Sequence, residues 1–439
     1  MRGFTAGSGG RTRHGQRIGP TRARAWARRL GLGAPIAAIA LACLGTSAAA
    51  VIVHLPSGAT ISYLRVPGSK ALDARASKAP VTYHGGPVMT SNTNYTLYWD
   101  PSGAPAYPAG YQAGVDRFLE DLADDSGGLQ NTDSILTQYS DEEGGFANYD
   151  SHFGGSLNDS DPYPASGCKA APICLTDAQI RNEIVAFVEA EKLPADLQHE
   201  YFLLTPPGVE GCLEESEKSC SDGTSHPGFC AYHGYIPTLS GTIVYADDPY
   251  VAGLNCDPGE QHPNENASDA TIAGGLAHEH SESVTDPELS AWYDSKGEEV
   301  ADKCRTFKEK TEFGEPLGVA PDGADYNELI NGDEYWYQQM WSNQTSACEQ
   351  REAQLPTISK LSPKSGSESG HTSVTITGTG FAGATSVHFG ALPAIELLEN
   401  SPTSITAITP PQLPGTVEVT VTTSSGTSAP SKKARFKYK

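Results

Sequence analysis

Between residues 81 and 350 the apolar positions switch repeatedly between a spacing of two, which marks strands, and a spacing near 3.6, which marks helices. Thr93–Trp99 alternates and is aromatic, so it reads as a strand. Tyr111–Ala123 places Val115, Phe118, Leu119 and Leu122 at helical spacing. Ile135–Tyr139 reads as another strand. Thr176 opens a helix with a capping box to Gln179, and Ile180, Ile184, Phe187 and Val188 form its buried stripe. Tyr201–Leu204 and Thr242–Tyr245 are two more short strands, and a helix runs from about Ala267 to Val284. This order predicts an α+β domain of mixed layers over residues 81–351.

The pattern differs on either side. Residues 51–80 form a lead-in segment, with a short strand pair near Val51–Val53 and Thr60–Leu64 and then a polar stretch. Residues 352–439 lack cysteine and any long helical pattern. Five short runs alternate there: Ser373–Thr377, Ser386–Phe389, Ser404–Thr409, Thr416–Thr422 and Ala434–Tyr438. Gly/Pro/Ser clusters separate them, which predicts a small all-β sandwich.

Residues 1–50 carry eight arginines, no lysine and no acidic residue, then an apolar run from Leu30 to Leu44 and a small-residue end at Ala48-Ala49-Ala50. These are the three parts of a secretory signal peptide. A membrane-spanning helix would need about 18 or more continuous apolar residues, and Pro35 and several glycines interrupt this one. The expected product is therefore secreted, with no membrane insertion after cleavage. Without the eight arginines, 22 basic residues face 53 acidic ones, a net charge of −31. So acidic a surface argues against nucleic acid as a partner and suits a protein that holds cations. Eight cysteines remain, an even number with no C-x-x-C pair, which predicts up to four disulfides. Proximity and position suggest Cys168–Cys174 and Cys304–Cys348.

The chemistry concentrates in Ala277-His278-Glu279-His280-Ser281-Glu282. His278 and Glu282 are four residues apart and share a helical face. This is the H-E-x-x-H metalloprotease arrangement with glutamate as the second ligand. An imidazole nitrogen and a carboxylate oxygen both suit zinc, and catalytic zinc sites use three protein ligands. Glu279 is then the candidate general base. A third ligand could come from Asp302, Asp286 or His233. His280 points away from His278 on a helix and is expected to be a supporting or exposed residue. The rival reading is a solvated acidic helix face. The apolar residues before His278 argue for half-burial, and a buried carboxylate without a partner is costly.

Two family resemblances add to this. Tyr83-His84-Gly85-Gly86-Pro87-Val88, the strand ending Tyr98-Trp99, His278-Glu279-x-x-Glu282 with Asp286-Pro287, Trp292-Tyr293-Asp294, Glu299-x-x-Asp302-x-Cys304, and the end from Tyr326-Asn327 to Trp341-Ser342-Asn343 resemble the phosphate-induced protein 1 (EXORDIUM-like) family. That resemblance implies an extracellular protein and prefers Asp302 over Asp286, but it brings no settled activity. Pro356-Thr357-Ile358, Leu361-Ser362-Pro363, Val374 to Phe381, Val387-His388-Phe389-Gly390 and Val417 to Val421 resemble the IPT/TIG immunoglobulin-like domains. Such modules imply spacing or adhesion rather than catalysis.

Two functions are then expected. One is a secreted metal-dependent hydrolase, a zinc peptidase-like protein with a zincin-like α+β domain. Its two carboxylate ligands make zinc a weaker Lewis acid than a histidine-rich site does. The other is a non-enzymatic module that binds cell wall, polysaccharide or an extracellular protein. The aromatic residues Trp292, Tyr293, Tyr335, Trp336, Tyr337 and Trp341 are sugar-stacking candidates under that reading, although core packing is their commoner use.

Overall fold

The computed structural model describes residues 52–67, 79–128, 131–259, 262–305, 313–351, 356–381, 384–401, 403–423 and 426–439. The signal peptide expected at residues 1–50 lies outside them, as does Val51 of the lead-in strand. The chain is mostly β-sheet.

The elements of the larger domain are β1 (Val53–His54), β2 (Thr60–Arg65), β3 (Thr82–Tyr83), β4 (Asn92–Trp99), α1 (Tyr111–Asp124), β5 (Ser151–Asp159), β6 (Ile173–Thr176), α2 (Asp177–Glu191), β7 (His199–Thr205), β8 (Val209–Cys212), β9 (Cys220–Ser221), β10 (Pro227–Pro237), β11 (Thr242–Pro249), α3 (Ala267–Thr271), α4 (Ala277–Thr285) and β12 (Trp292–Tyr293). The sheet runs β5–β4–β7–β11–β10–β9–β8–β6, and β2 also pairs with β10. β5, β4, β7 and β11 are mutually parallel. β10 is antiparallel to β11 on one side and to β2 on the other.

The two-residue period of each strand divides its side chains between two apolar layers. On β7, Tyr201 and Leu203 join one layer with Ile180, Ile184 and Val188 of α2. Phe202 and Leu204 join the other with Val115, Phe118, Leu119 and Leu122 of α1 and with Ile272, Leu276 and Val284 of the last helix. Each of these buried apolar side chains contributes about 1.5–3 kcal/mol. The same alternation sets the polar positions. Tyr232 faces the α2 layer, so its neighbour His233 must face the layer of α4. On β2, Ile61 belongs to the α2 layer and Ser62, in register opposite His233, turns the other way.

α1 forms where its periodicity predicts. α2 begins with the expected capping box, the Thr176 and Gln179 side-chain oxygens each accepting from the other's backbone N–H. Phe187 is only half-buried, so the apolar stripe of α2 is narrower than its sequence suggests. Ile135–Tyr139 is not a strand. It falls in a 3-10 helix, Thr132–Gln138, whose Asn131 side chain caps the backbone N–H of Asp133. Five residues with apolar positions at both ends fit either spacing, and here the Asn131 cap decides.

α3 and α4 are parts of one continuous helix joined by a π-turn, Ile272–Leu276. Gly275 in that turn lies so close to β10 that a Cβ there would stand 2.7 Å from the Ala231 Cβ. The missing side chain lets the helix lie against the sheet, and α4 packs on β10, β11 and β2. Four disulfides tie the loops: Cys168–Cys174, Cys212–Cys220, Cys230–Cys256 and Cys304–Cys348. The two pairs expected from position are among them.

Residues 356–439 form two sheets. One contains Thr357–Ser362, Ser373–Thr379, Ser404–Ile408 and Glu396–Ser401; the other contains Arg435–Tyr438, Gly415–Thr423 and Ser386–Phe389 with short flanking strands. All five predicted runs fall on these strands, with Thr409 and Ala434 one residue outside them. The core between them is apolar: Val374, Ile376, Phe389, Ile405, Val419, Val421 and Phe436 are all buried.

Candidate functional site

α4 is capped at its end by Asp286, whose Oδ1 accepts backbone N–H groups from Ser290 and Ala291, the latter at 2.6 Å. The chain then turns through β12 and returns at Asp302, which opens a short 3-10 turn, Asp302–Cys304. The Cys304–Cys348 disulfide and a hydrogen bond from Trp341 N–H to Val300 O at 2.9 Å hold that turn against a hairpin of the strands Met340–Ser342 and Ala347–Glu349. These connections bring three of the residues singled out in the sequence together. His278 Nε2 lies 3.3 Å from Glu282 Oε1 and 3.2 Å from Asp302 Oδ1. All three residues are 1 % exposed.

The protonation of His278 can be argued from its neighbours. Gln338 Nε2 donates to Ala301 O at 2.7 Å, which turns its Oε1 toward His278 Nδ1 at 3.1 Å. Nδ1 must therefore carry a proton, and Nε2 is left facing two carboxylate oxygens. Asp302 Oδ2 accepts from Glu299 N–H at 3.1 Å, so its Oδ1 is the free oxygen. Asp302 N–H in turn donates to Glu282 Oε1 at 3.0 Å. Burial acts to lower the His278 pKa, but Glu282 and Asp302 outweigh it and raise the pKa well above the usual histidine value. Burial raises the Glu282 carboxyl to about 7, with Asp302 adding to the effect. Burial likewise raises Glu279 to about 8. Each shift expresses one condition: the site lacks enough positive charge.

A divalent ion fits that condition. Ligand atoms bonded at about 2.0 Å to a tetrahedral ion stand about 3.3 Å apart, close to both measured separations. The donor set of one imidazole and two carboxylates is one zinc accepts, and the Gln338 contact is the outer-shell partner that fixes a ligating histidine. Neither His278 Nε2 nor Asp302 Oδ1 has a hydrogen-bond partner.

The other candidates take different places. Asp286 is committed through Oδ1 to the turn after α4. His233 is fully buried, with Nδ1 2.9 Å from Glu279 Oε2 and 3.8 Å from Glu282 Oε2. His280 is neither exposed nor beside His278. It is buried, with Nδ1 3.0 Å from Glu200 Oε2 and Nε2 3.6 Å from Asp133 Oδ2. Burial opposes its charge, yet the hydrogen bonds to Asp133 and Glu200 raise its pKa to about 10. The helix carries charge on more than one face because sheet and loops enclose it on every side. Sequence reasoning passed over Gln338, Glu200, Asp133 and the ligand-like placement of Glu299. A neutral glutamine 60 positions downstream has no local signal, and strand residues such as Glu200 look exposed until both faces of the sheet are known to be covered. Of the aromatic residues considered for sugar stacking, Tyr335, Tyr337 and Trp341 are buried in the core. His84 stacks on Tyr293 at 3.7 Å.

The C-terminal sandwich has a sequence match of its own, over residues 356–438. It is an IPT/TIG domain. With its four disulfide-bonded loops and this immunoglobulin-like domain, the chain fits an extracellular protein. No helix among the described residues is long and apolar enough to cross a membrane. Comparison with curated protein sequences finds no match. Among solved structures the chain resembles SGBP-B from a complex xyloglucan utilization locus in Bacteroides uniformis, at 26% identity and a TM-score of 0.17, covering 19% of this chain and 24% of that one. It also resembles the Plexin A4 extracellular region (23% identity, TM-score 0.18, 26% of this chain and 11% of that one). A third is Gamma-CGTASE from Alkalophilic bacillus clarkii (21% identity, TM-score 0.18, 28% and 16%). The chain thus spans about a quarter or less of each of these three proteins. TM-scores this low leave the functional reading to the chain's own residues outside the IPT/TIG domain.

Proposed function

We propose that the domain of residues 81–351 holds a divalent metal, zinc by its donor set, at His278, Glu282 and Asp302, and acts as an extracellular metal-dependent hydrolase of peptide-like substrates. The observation that carries this is His278 Nε2. With Nδ1 engaged by Gln338, it faces two carboxylate oxygens at ligand spacing, and it is sealed from water. A proton or a metal must lie between them, and two anions around one imidazole favour the doubly charged ion. When bound, zinc would polarise a carbonyl and lower the pKa of water. Glu279 supplies the base: its Oε2 is held by His233, while Oε1 has no partner and is free to take a proton. The resemblance of residues 81–350 to the EXORDIUM-like family supports the extracellular setting.

A second reading has one observation in its favour. The site is enclosed, whereas a catalytic zinc keeps one position open. A metal held there without catalysis would be structural, and the chain would be a binding module for extracellular polysaccharide or protein. Metal content and hydrolysis decide between the two. Wild type should contain zinc, His278→Ala should not, and Glu279→Gln should keep the metal while losing hydrolysis of an unstructured protein substrate. Metal-free wild type would overturn both readings. Metal without any difference in hydrolysis between wild type and Glu279→Gln supports the binding module.

A further inference from the structure

A single ion leaves the site with an excess of negative charge. Glu279, Glu282, Glu299 and Asp302 are all at most 1 % exposed. Arg305 acts on Glu279 from the side, and Lys303 is committed to Asp294 at 3.2 Å. One dication and Arg305 offset three of the four carboxylates. Asp248 and Asp286, also buried, act on Glu279 and Glu282 from just outside. Isolated buried carboxylates are costly, so the arrangement calls for another cation.

The unpartnered atoms show where. Glu282 divides its two oxygens between two histidines: Oε1 lies 3.3 Å from His278 Nε2, and Oε2 lies 3.8 Å from His233 Nδ1. Oε2 has no hydrogen-bond partner, and neither has Glu279 Oε1. His233 Nδ1 is 2.9 Å from Glu279 Oε2. The two separations at His233 bracket the spacing of about 3.3 Å between ligands of a tetrahedral ion. These three residues place one donor atom each within 4.8 Å of one another, as His278, Glu282 and Asp302 do. His233 Nε2 then keeps its proton and faces Glu299 Oε2 at 3.8 Å, the counterpart of Gln338 behind His278.

We infer that a second divalent cation is held by His233, Glu279 and Glu282, with Glu282 bridging the two ions through its two oxygens. This rests on the first ion site proposed above. It makes Glu279 a ligand through Oε2 and leaves Oε1 for the proton. Two dications offset the four carboxylates Glu279, Glu282, Glu299 and Asp302. Two histidines and three carboxylates, one of them bridging, form a set one carboxylate short of the two-histidine, four-carboxylate set of dinuclear carboxylate centres, and bridged ions of that kind stand about 3.5–4 Å apart. A carboxylate-rich set of this composition accepts manganese or iron as well as zinc.

The test uses the full chain, both as isolated and after refolding in Mn²⁺ with its disulfides intact, followed by dialysis. Metal analysis should give two ions per chain. Electron paramagnetic resonance should show the spectrum of an exchange-coupled Mn²⁺ pair instead of the six lines of an isolated ion. His233→Ala and the isosteric Glu279→Gln should each reduce the count toward one and restore the six lines, with far-ultraviolet circular dichroism confirming that each variant is folded. One ion per chain in wild type, unchanged in Glu279→Gln, would overturn the second site and leave the first standing. Two ions with an uncoupled six-line spectrum would also overturn it, because the ions would then be far apart. No ion at all would remove the first site, and the second with it.

Discussion

The two folded regions bury different things. In the IPT/TIG sandwich the described interior holds apolar side chains and a few hydroxyls, Thr409, Thr423 and Ser428, with no buried charge. In the larger domain, His233, Glu200, Asp247, Asp248, all four titratable residues of the His278–Glu282 segment, Glu299 and Asp302 lie inside the layers next to Tyr, Phe and Leu. The sandwich follows from binary patterning alone. The larger domain contains a polar stratum that patterning would place outside, and such a stratum is retained only if something neutralises it. Function is to be sought where burial breaks the pattern.

The largest effect expected from that contrast is at the ligands. His278→Ala should abolish metal binding and cost the larger domain about 3–5 kcal/mol, since it strands Glu282 and Asp302 in the interior. Tryptophan fluorescence is a selective probe, because every tryptophan of the chain lies before residue 356. The sandwich, followed by hydrogen exchange at Val374 and Val419, should be unaffected; a matching loss there would break the comparison.

Next comes the Cys304–Cys348 bridge, which closes a loop of 44 residues beside Asp302. By chain entropy its removal costs about 4 kcal/mol. Cys304→Ser/Cys348→Ser should lower the fluorescence midpoint in urea and weaken metal affinity together. Loss of stability with metal affinity intact would show that the turn at Asp302 stands without its staple.

In the sandwich, Ile376→Ala should cost about 3 kcal/mol from lost burial and the cavity left behind, measured by exchange at Val419. The same variant should leave metal content and tryptophan fluorescence unchanged.

The smallest effect concerns pH. Burial raises the Glu210 carboxyl to about 7, with the Ser221 hydrogen bond opposing and Asp222 adding. The folded chain therefore binds a proton that the unfolded chain has released between about pH 4.5 and 7. Over that window the larger domain should lose stability as pH rises. Glu210→Gln should flatten the slope in urea titrations at pH 5 and 7. A variant with the wild-type slope would show that Glu210 titrates normally.

How much was legible follows from the same contrast. The sandwich strands, α1 and the capped start of α2 were readable because each carries its signal within a few residues. So was the His278–Glu282 pair, whose spacing alone puts it on one helical face. Asp302 was one of three candidate third ligands, preferred only through resemblance, and it lies beside His278. The strand expected at Ile135–Tyr139 failed because a short apolar run does not distinguish strand from 3-10 helix; the Asn131 side chain does. His280 does turn away from His278, but it is not exposed, because a helix enclosed on all sides has no outward face. Gln338 and Glu200 were invisible because their roles come from tertiary neighbours 60 and 80 residues away.

β2 has one further consequence. It lies along β10 over five register pairs, from Phe229↔Arg65 to Gly234↔Ile61, and among the described residues its own far side is paired at two positions, Val53↔Ile61 and His54↔Thr60. Ser62 closes the polar stratum opposite His233. Peeling this strand would admit solvent to the centre while leaving the ladder of β10, β11, β7, β4 and β5 intact. Exchange of an enclosed ion would then be set by a local fluctuation at the margin of the sheet rather than by global unfolding. Its rate should track the amide protection of Ser62 and Leu64, not that of Tyr201 in the sheet interior.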